Sequence, residues 1–403
     1  MTMPQIEPER IQRAIHAQQG VVKHTPILTS MTLSNRCGGT IAMKAENLQR
    51  TGAFKIRGAL AKLDDLGEAV ARGVVAGSAG NHAQALAFAA RHRGVPCEIF
   101  VPTGASLAKI EACRSYGATV TVRGDSLTEA VAGARERAAE SGMSFCHPYD
   151  DLAVVAGQAT IGLELIHDLP DLRCAIVPLG GGGLAAGMAI ALKRHDPTIT
   201  VIGVQVAGCA PYADLPPPDG PVATLADGIA VKLPGEITRP LVEHGVDDVV
   251  VVEEDDIADA MMFLLERAKL VVEGAGAVGI AALQSGRVTP SPSGVTCAVL
   301  SGGNVDLGVL PSVIRRQETL AGRRLIMFAR IDDRPGALAK LLTLVAECGA
   351  NLIELEHVRE GVDLHVRETG VQVVMEVRGP EHSAEVLGAA RAAGYAVNDS
   401  SNR

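Results

Sequence analysis

Short apolar runs alternate with helix-like segments along most of the chain, and this alternation limits the possible folds more than any other feature. Strand–helix alternation predicts parallel sheets covered by helices on both faces. The chain has two groups of such units, one on each side of a helical segment at 157–169, so we expect an α/β fold with two lobes and a cleft between them. The apolar runs lie at 73–76, 97–101, 119–122, 174–177 and 200–206.

The rhythm changes beyond an arginine-rich stretch at 315–324. The order there is strand, helix, strand, strand, helix, strand, which predicts a ferredoxin-like βαββαβ domain. The predicted segments are 325–331, 337–347, 351–357, 371–377, 384–393 and 395–397. We therefore expect a catalytic domain at 1–316, whose smaller lobe (about 50–150) is inserted in the larger one, a linker at 317–324 and a small domain at 325–403.

Charge and cysteine content exclude several classes of protein. The chain has 37 basic and 46 acidic side chains, a net charge of −9, which argues against electrostatic binding of nucleic acid or of an anionic membrane. Its longest apolar run, at 181–192, is too short to span a bilayer. The eight cysteines are scattered, with no CxxC pair, as is typical of a reduced protein, and we expect a cytoplasmic location.

Four consecutive glycines lie between an apolar strand and a helix: Gly180, Gly181, Gly182 and Gly183. Main-chain N–H groups at such a helix start form a phosphate cradle, although a glycine-rich turn can also serve close packing alone. A dinucleotide site is disfavoured because the next strand carries Gln205 where an acidic residue should hold the ribose. With no Gly-Lys-Ser/Thr ending either, a single terminal phosphate fits best.

Lys55 follows Phe54 in a segment with glycines on both sides. These neighbours are consistent with a partly buried amine, whose pKa would fall and make it a usable nucleophile. Taken alone, an ordinary surface lysine is the competing interpretation.

Three further loops contain polar residues at element ends. Ser78-Ala79-Gly80-Asn81-His82 lies between a strand and a helix and is a natural carboxylate site, although Ser78 could simply cap the helix and His82 could pack within it. Glu273-Gly274-Ala275-Gly276-Ala277 precedes a helix, and Ser301-Gly302-Gly303-Asn304 follows a strand at the edge where open α/β sheets bind ligands.

These five motifs occur in the order found in threonine/serine dehydratases, and the chain resembles that family over residues 11–314. The family consists of pyridoxal-phosphate (PLP) enzymes of the two-lobed tryptophan-synthase-β fold type. Residues 226–232 resemble its threonine ammonia-lyase branch, and the C-terminal domain, with Asp333-Arg334-Pro335-Gly336 before its first helix, resembles an ACT domain. The resemblance therefore implies a medium-length threonine ammonia-lyase with one ACT domain.

The resemblance also implies roles for individual residues. Lys55 would carry PLP and later act as the base at Cα, Phe54 would pack against the cofactor, and Ser301 would meet the ring nitrogen. Asn81 would bond the ring's 3-oxygen, and Gly180, Gly181, Gly182, Gly183 and Leu184 would hold the phosphate. The substrate carboxylate would be bound by Ser78, Asn81 and His82. Some relatives bind a divalent cation through a glutamate where this chain has Gln205, so we expect no firm metal site.

Several alternatives remain open at this point. Within the same fold they are serine racemisation and dehydration of serine or 3-hydroxyaspartate, because a pocket discriminates one methyl group weakly. A non-enzyme alternative is an amino-acid sensor built on the ACT domain, which intact Lys55 and Ser301 disfavour. Relatives are commonly dimers or tetramers, so we expect a homo-oligomer, with an amino-acid effector at the ACT domain as a further expectation.

Overall fold

The structure is a computed structural model, and it describes residues 6–215, 218–220, 222–359 and 364–401. Its internal contacts divide the chain into two compact units, Met1–Asp306 and Leu307–Arg403, which are described in turn. In the described residues, no helix is both long and apolar enough to cross a bilayer.

The helices and strands of the first unit alternate as the sequence predicts. Its helices are Pro8–Gln18 (α1), Met31–Cys37 (α2), Lys55–Asp65 (α3), Asn81–Arg93 (α4), Leu107–Ser115 (α5), Leu127–Ser141 (α6), Leu152–Asp168 (α7), Gly183–His195 (α8), Thr238–Gly245 (α9), Glu254–Phe263 (α10) and Gly274–Gln284 (α11). Its strands are Ile27–Thr29 (β1), Thr40–Lys44 (β2), Val74–Gly77 (β3), Cys97–Val101 (β4), Thr119–Val122 (β5), Ser144–Phe145 (β6), Leu172–Pro178 (β7), Thr200–Val206 (β8), Asp248–Val252 (β9) and Val295–Val299 (β10).

These strands form two sheets, one for each lobe. Among the described residues, the larger lobe has a six-stranded sheet in the order β1-β2-β10-β7-β8-β9, parallel except for the antiparallel edge strand β1. The smaller lobe has a four-stranded parallel sheet in the order β5-β4-β3-β6, and its strands lie between β2 and β7 in the chain. The predicted two-lobed α/β class is confirmed.

Helices α3 and α7 approach closely enough to exclude side chains between them. A Cβ at Gly157 of α7 would come within 2.6 Å of the Arg57 carbonyl oxygen and 2.7 Å of the Gly58 Cα, both in α3. Because Lys55 is the first residue of α3, this contact fixes where its backbone lies.

A buried group of charged side chains also ties α3 to α7 and to Glu46. Arg57 is fully buried and donates hydrogen bonds to Glu46 at 2.8 and 2.9 Å and to Glu164 of α7 at 2.6 and 3.0 Å. Lys44 at the end of β2 is also fully buried and lies 2.7 Å from Glu164. Each buried charge therefore has opposite-charge partners, as burial requires.

The second unit has its own small sheet and core. Its elements are Leu310–Leu320 (α12), Arg324–Asp332 (β11), Ala337–Glu347 (α13), Asn351–Val358 (β12), Glu368–Glu376 (β13), Pro380–Ala392 (α14) and Ala396–Asp399 (β14). In its described residues, four antiparallel strands follow the order β12-β13-β11-β14 over a core that includes Met327, Leu341 and Val373. The βαββαβ prediction is confirmed, while the predicted domain and linker limits stay predictions.

Candidate active site

The segment that carries Lys55 is clamped against the loop after β10. We call residues 51–55 the lysine segment and residues 301–304 the serine segment. Three hydrogen bonds join them: from Phe54 N to Ser301 O (3.1 Å), from Gly303 N to Gly52 O (2.8 Å) and from Asn304 Nδ2 to Thr51 O (2.7 Å). Two of the five sequence motifs are thus in direct contact.

The lysine segment begins with a strained turn. Thr51 and Gly52 both have left-handed backbone angles, with φ of 60° and 73°. For a β-branched residue such as Thr51 this conformation costs about 1–3 kcal/mol, and it persists only where the surroundings hold it. The hydrogen bond from Asn304 to the Thr51 carbonyl supplies part of that support.

The Lys55 amine is half-buried, and its pKa is well below that of an ordinary lysine. Its Nζ donates a 2.9 Å hydrogen bond to the Pro148 carbonyl and lies 5.0 Å from the centre of the Phe54 ring. Burial lowers the Lys55 pKa to about 8, although the nearby Glu273 carboxylate acts in the opposite direction. A larger share of this amine is therefore unprotonated near neutral pH, as a nucleophile or base requires.

A loop that the sequence analysis did not single out, residues 146–151, connects β6 to α7 and contacts most of the site. Besides the Pro148 carbonyl, it contributes Tyr149, whose ring lies against Gly181 and whose main chain lies against Gly183. Asp150 accepts hydrogen bonds from the main-chain N–H groups of Glu236, Ile237 and Thr238 at 2.9–3.0 Å. The sequence feature that could have revealed this loop is Asp151, which caps α7 by accepting hydrogen bonds from Ala153 N and Val154 N.

The four glycines form a tight, buried turn into α8. Gly182 has φ of 93°, and Thr238 Oγ1 donates a 2.6 Å hydrogen bond to the Gly181 carbonyl. A Cβ at Gly180 would come within 2.8 Å of Ile229 Cα, so only bare main chain fits there. The first N–H groups of α8 have no partner within the helix, and together they favour an anion. Leu184, one residue further, is buried in the core of the larger lobe.

Gln205 is fully buried on β8 beside the same turn. Its Nε2 donates to the Leu179 carbonyl at 3.2 Å, and its Oε1 accepts from the Tyr212 N–H at 2.9 Å. Gln205 thereby ties the residue before the glycine turn to the loop after β8. In the described residues, no cluster of three or more His, Cys, Asp and Glu side chains with metal-binding geometry is found.

The start of α4 offers main-chain rather than imidazole donors. The helix begins at Asn81 with Gly80 as its N-cap, and Ser78 Oγ accepts only from Gly80 N at 3.3 Å, so Ser78 does not cap the helix. His82 is buried, its Nε2 bonds the Cys146 carbonyl at 3.0 Å, and burial lowers its pKa to about 3. When a neutral His82 donates to Cys146, its other ring nitrogen is an acceptor. It therefore has no hydrogen bond to donate to a carboxylate.

A chain of side-chain hydrogen bonds links three of the motifs. Asn304 Nδ2 donates to Asn81 Oδ1 at 2.8 Å, and Asn81 Nδ2 donates to Glu273 Oε1 at 2.7 Å. Burial raises the Glu273 pKa to about 7. Ser301, also buried, directs its hydroxyl toward the Ala275 carbonyl at 3.4 Å. Sequence reasoning assigned Asn81 and Ser301 roles but missed those of Glu273 and Asn304, although both lie in motifs that it noticed.

Together these contacts define a two-lobed α/β enzyme site that combines a buried amine with an anion cradle. A family model described as "Pyridoxal-phosphate dependent enzyme" matches residues 19–302, and the chain belongs to that family. The L-threonine ammonia-lyase of Geobacter sulfurreducens is 46% identical over 96% of this chain and 98% of its own, and that of Thermotoga maritima is 42% identical over the same shares.

Solved structures give the same result for the fold. Maize serine racemase matches with a TM-score of 0.71 and 34% identity over 77% of this chain and 97% of its own. The threonine deaminase of T.th. matches with a TM-score of 0.69 and 36% identity, over 75% of this chain and 99% of its own.

The residues present fit pyridoxal phosphate. An amine whose pKa is about 8 suits the cofactor's aldehyde, and the start of α8, where a side chain at Gly180 would collide with Ile229, suits its phosphate. The Ser301 hydroxyl, held only by a long hydrogen bond, remains available to a ring nitrogen.

Proposed function

We propose that this protein is a threonine ammonia-lyase that converts L-threonine to 2-oxobutanoate and ammonia, with L-serine as a secondary substrate. The observation that carries the proposal is the Lys55 amine, which has a lowered pKa, donates to the Pro148 carbonyl and interacts with the charge of Glu273 in a second motif. Likeness to two L-threonine ammonia-lyases over nearly the full length of both chains supports the choice of substrate.

In this proposal Lys55, Phe54, Asn81, Ser301 and the glycine turn with Leu184 hold the cofactor. Bound pyridoxal phosphate would supply an electron sink that makes the substrate's Cα–H bond acidic. The Lys55 amine would take the Cα proton, and the β-hydroxyl would take up one proton as it leaves as water, so that one proton is removed and one is returned. The unsaturated amine that is released then reacts with water, which yields the keto acid and ammonia.

We assign the substrate carboxylate to the start of α4. The main-chain N–H groups of Asn81 and His82 are in the first turn and lack partners within the helix, so they can donate to an anion. Ser78 Oγ and the second Asn81 Nδ2 hydrogen complete the donor set, and this hydrogen would be shared with the 3-oxygen of the cofactor ring as a three-centre bond. The His82 side chain contributes by packing, because its Nε2 is engaged by Cys146.

A keto-acid assay across L-threonine, L-serine and 3-hydroxyaspartate tests the proposed substrate. We expect the highest kcat/KM for L-threonine, and a preference for 3-hydroxyaspartate would contradict the proposal. Lys55→Ala should abolish both turnover and the visible absorbance of bound cofactor. Lys193→Ala is a matched control, because Lys193 pairs with Asp247 on the outside of α8, and it should preserve both.

For the second unit we propose an ACT-like regulatory role, and for the whole protein a cytoplasmic homo-oligomer. The βαββαβ order and the family resemblance support the first part, and scattered free cysteines support the location. Light scattering after size-exclusion chromatography tests the oligomer, and a monomer at micromolar concentration would contradict it.

A further inference from the structure

Glu273 and Asn304 have no assigned role so far. They lie beside Lys55 and Asn81, the two residues that we place in the reaction. We propose that they are positioning residues: together they fix the Asn81 amide as a hydrogen-bond donor to the site, and the Glu273 carboxylate, held beside the lysine segment, acts on the Lys55 amine through its charge. The inference rests on the proposed roles of Lys55 and Asn81.

The orientation of Asn81 follows from a fixed point at the main chain. The Thr51 carbonyl can only accept, so the Asn304 side chain must present its NH2 group there, at 2.7 Å. The same NH2 group donates to Asn81 at 2.8 Å, which requires the Asn81 oxygen to face Asn304. Asn81 must then direct its own NH2 group the other way, toward Glu273 at 2.7 Å.

Glu273 receives one of the two Asn81 N–H groups, and the second is left for a ligand. The Glu273 main chain is itself fixed, because its N–H donates to the Gly302 carbonyl at 3.0 Å. The Gly302 position has no room for a side chain next to the Glu273 carboxylate. Three segments therefore meet at this carboxylate: its own loop, the start of α4 and the serine segment.

The Glu273 carboxylate lies beside the lysine segment, because a Cβ at Gly302 would meet both Glu273 Oε1 and, at 3.2 Å, the Ala53 side chain. An ionised Glu273 raises the Lys55 pKa, against the larger effect of burial. Other charged groups also face Glu273: Asp227, in a 3-10 turn, raises its pKa, and Lys109 of α5 lowers it.

The first test replaces Glu273 with a neutral acceptor of the same shape. Glu273→Gln can still accept from Asn81 but removes the charge. In the full chain freed of cofactor, pulse labelling with acetic anhydride modifies the unprotonated Lys55 amine. Mass spectrometry of the Lys55 peptide then gives the deprotonated fraction of that amine at each pH. We expect the Glu273→Gln midpoint about one pH unit lower than that of the unmodified chain. An unchanged midpoint would overturn the electrostatic part of the proposal.

The second test removes the orienting donor and keeps the charge. Asn304→Ala should raise the KM for L-threonine about tenfold, because Asn81 is free to turn its oxygen toward the substrate, and should leave the Lys55 midpoint unchanged. Asn304→Ser keeps one donor, so its KM should lie between those of the unmodified chain and the alanine variant. It serves as the test if the alanine variant does not fold. An unchanged KM in the folded variant would overturn the positioning part.

The two tests have a common control and do not depend on each other. Glu136→Gln removes an exposed carboxylate that pairs with Arg123 on the smaller lobe, and it should change neither the Lys55 midpoint nor KM. Because labelling needs no turnover, failure of the proposed substrate would leave the Lys55 result intact. A general loosening of the site would move both readouts in every variant, and that outcome also contradicts the proposal.

Discussion

Ala79 separates elimination from racemisation at the level of one side chain. Racemisation needs a proton donor on the cofactor face opposite Lys55, and the resemblance to serine racemases implies that a serine immediately before Gly-Asn-His would supply it. Here the position holds Ala79, which packs against the core of the smaller lobe and has no exchangeable proton. We expect dehydration of L-serine with little D-serine, measured by chiral chromatography.

Ala79→Ser is the matched variant for this experiment. It restores a hydroxyl while changing the volume by one oxygen atom, so it should increase D-serine formation relative to pyruvate. If the unmodified protein makes D-serine at a rate comparable to pyruvate, Ala79 does not limit the reaction.

His82 makes stability depend on pH. Its folded-state pKa of about 3 lies below the ordinary value of 6.5, so below 6.5 the unfolded chain takes up a proton that the folded chain refuses. The His82 contribution to stability is therefore complete above 6.5 and lost as the pH falls. Near pH 5 the loss is about 2 kcal/mol. His82→Gln can still donate to Cys146 but does not titrate. Its free energy of unfolding in urea should therefore fall by about 2 kcal/mol less than that of the unmodified chain between pH 7 and about 5.

An equal loss in the two proteins would show that another group causes the pH dependence. His147, whose pKa burial lowers to about 4, titrates in both proteins and cancels in the comparison.

Lys55 also shows how far residue-level reasoning reaches. Its neighbours Phe54 and the flanking glycines indicate a partly buried amine, and the structure places it so. The Pro148 carbonyl that accepts its hydrogen bond is 93 positions away, and no local pattern marks a main-chain acceptor. The roles of Glu273 and Asn304 were missed for the same reason, because their hydrogen-bond partners lie in other loops.

At the scale of elements, the contact between α3 and α7 sets the position of Lys55. Gly157→Ala would push a methyl group into the main chain of α3 at Arg57 and Gly58. Overpacking of this kind costs about 1–3 kcal/mol. Because α3 begins at Lys55, we expect cofactor affinity to fall along with the melting temperature.

Gly388→Ala in α14 is the control, since a Cβ there meets nothing within 4 Å. Alanine at this open helical site should stabilise the second unit by about 0.5–1 kcal/mol. Thermal unfolding and cofactor titration of both variants check the pair, and equal effects would rule out the steric argument.

The sequence predicted elements best where the apolar pattern is long. It placed the strands at 97–101, 119–122 and 200–206 with the limits that β4, β5 and β8 have. It began the helix between the lobes at 157, whereas α7 begins at Leu152, because the first turn reads as loop until Asp151 is recognised as its cap. Strand β6 has two residues, too few to show a period, and the loop that follows it was missed with it.

At the scale of the whole molecule, the described chemistry lies between residues 51 and 304, within the first unit. The second unit has a separate core of its own, including Leu325, Val371 and Val386. A domain with its own core can bind a ligand without taking part in the reaction. Its function is therefore tested by ligands that differ from the substrate.

The segment Asp333-Arg334-Pro335-Gly336 leads into α13 and is the feature on which an effector prediction rests. Gly336 is the N-cap with φ of 85°, and Asp333 pairs with Arg359 at 3.0 Å. A helix start of this kind favours a carboxylate, so we expect a small apolar amino acid, L-isoleucine or L-valine, to change the kinetics and raise the melting temperature of the intact chain.

D-valine is the matched control for that measurement, because it has the same composition and charge as L-valine but the opposite configuration at Cα. A site that grips the carboxylate, the amine and the side chain together distinguishes the two forms, whereas a nonspecific effect of the solute does not. Ligand binding to the folded chain alone raises stability by about 2.7 kcal/mol at a hundredfold excess over Kd, a shift that thermal unfolding resolves. If neither L-isoleucine nor L-valine changes the kinetics or the melting temperature, the second unit serves assembly rather than regulation.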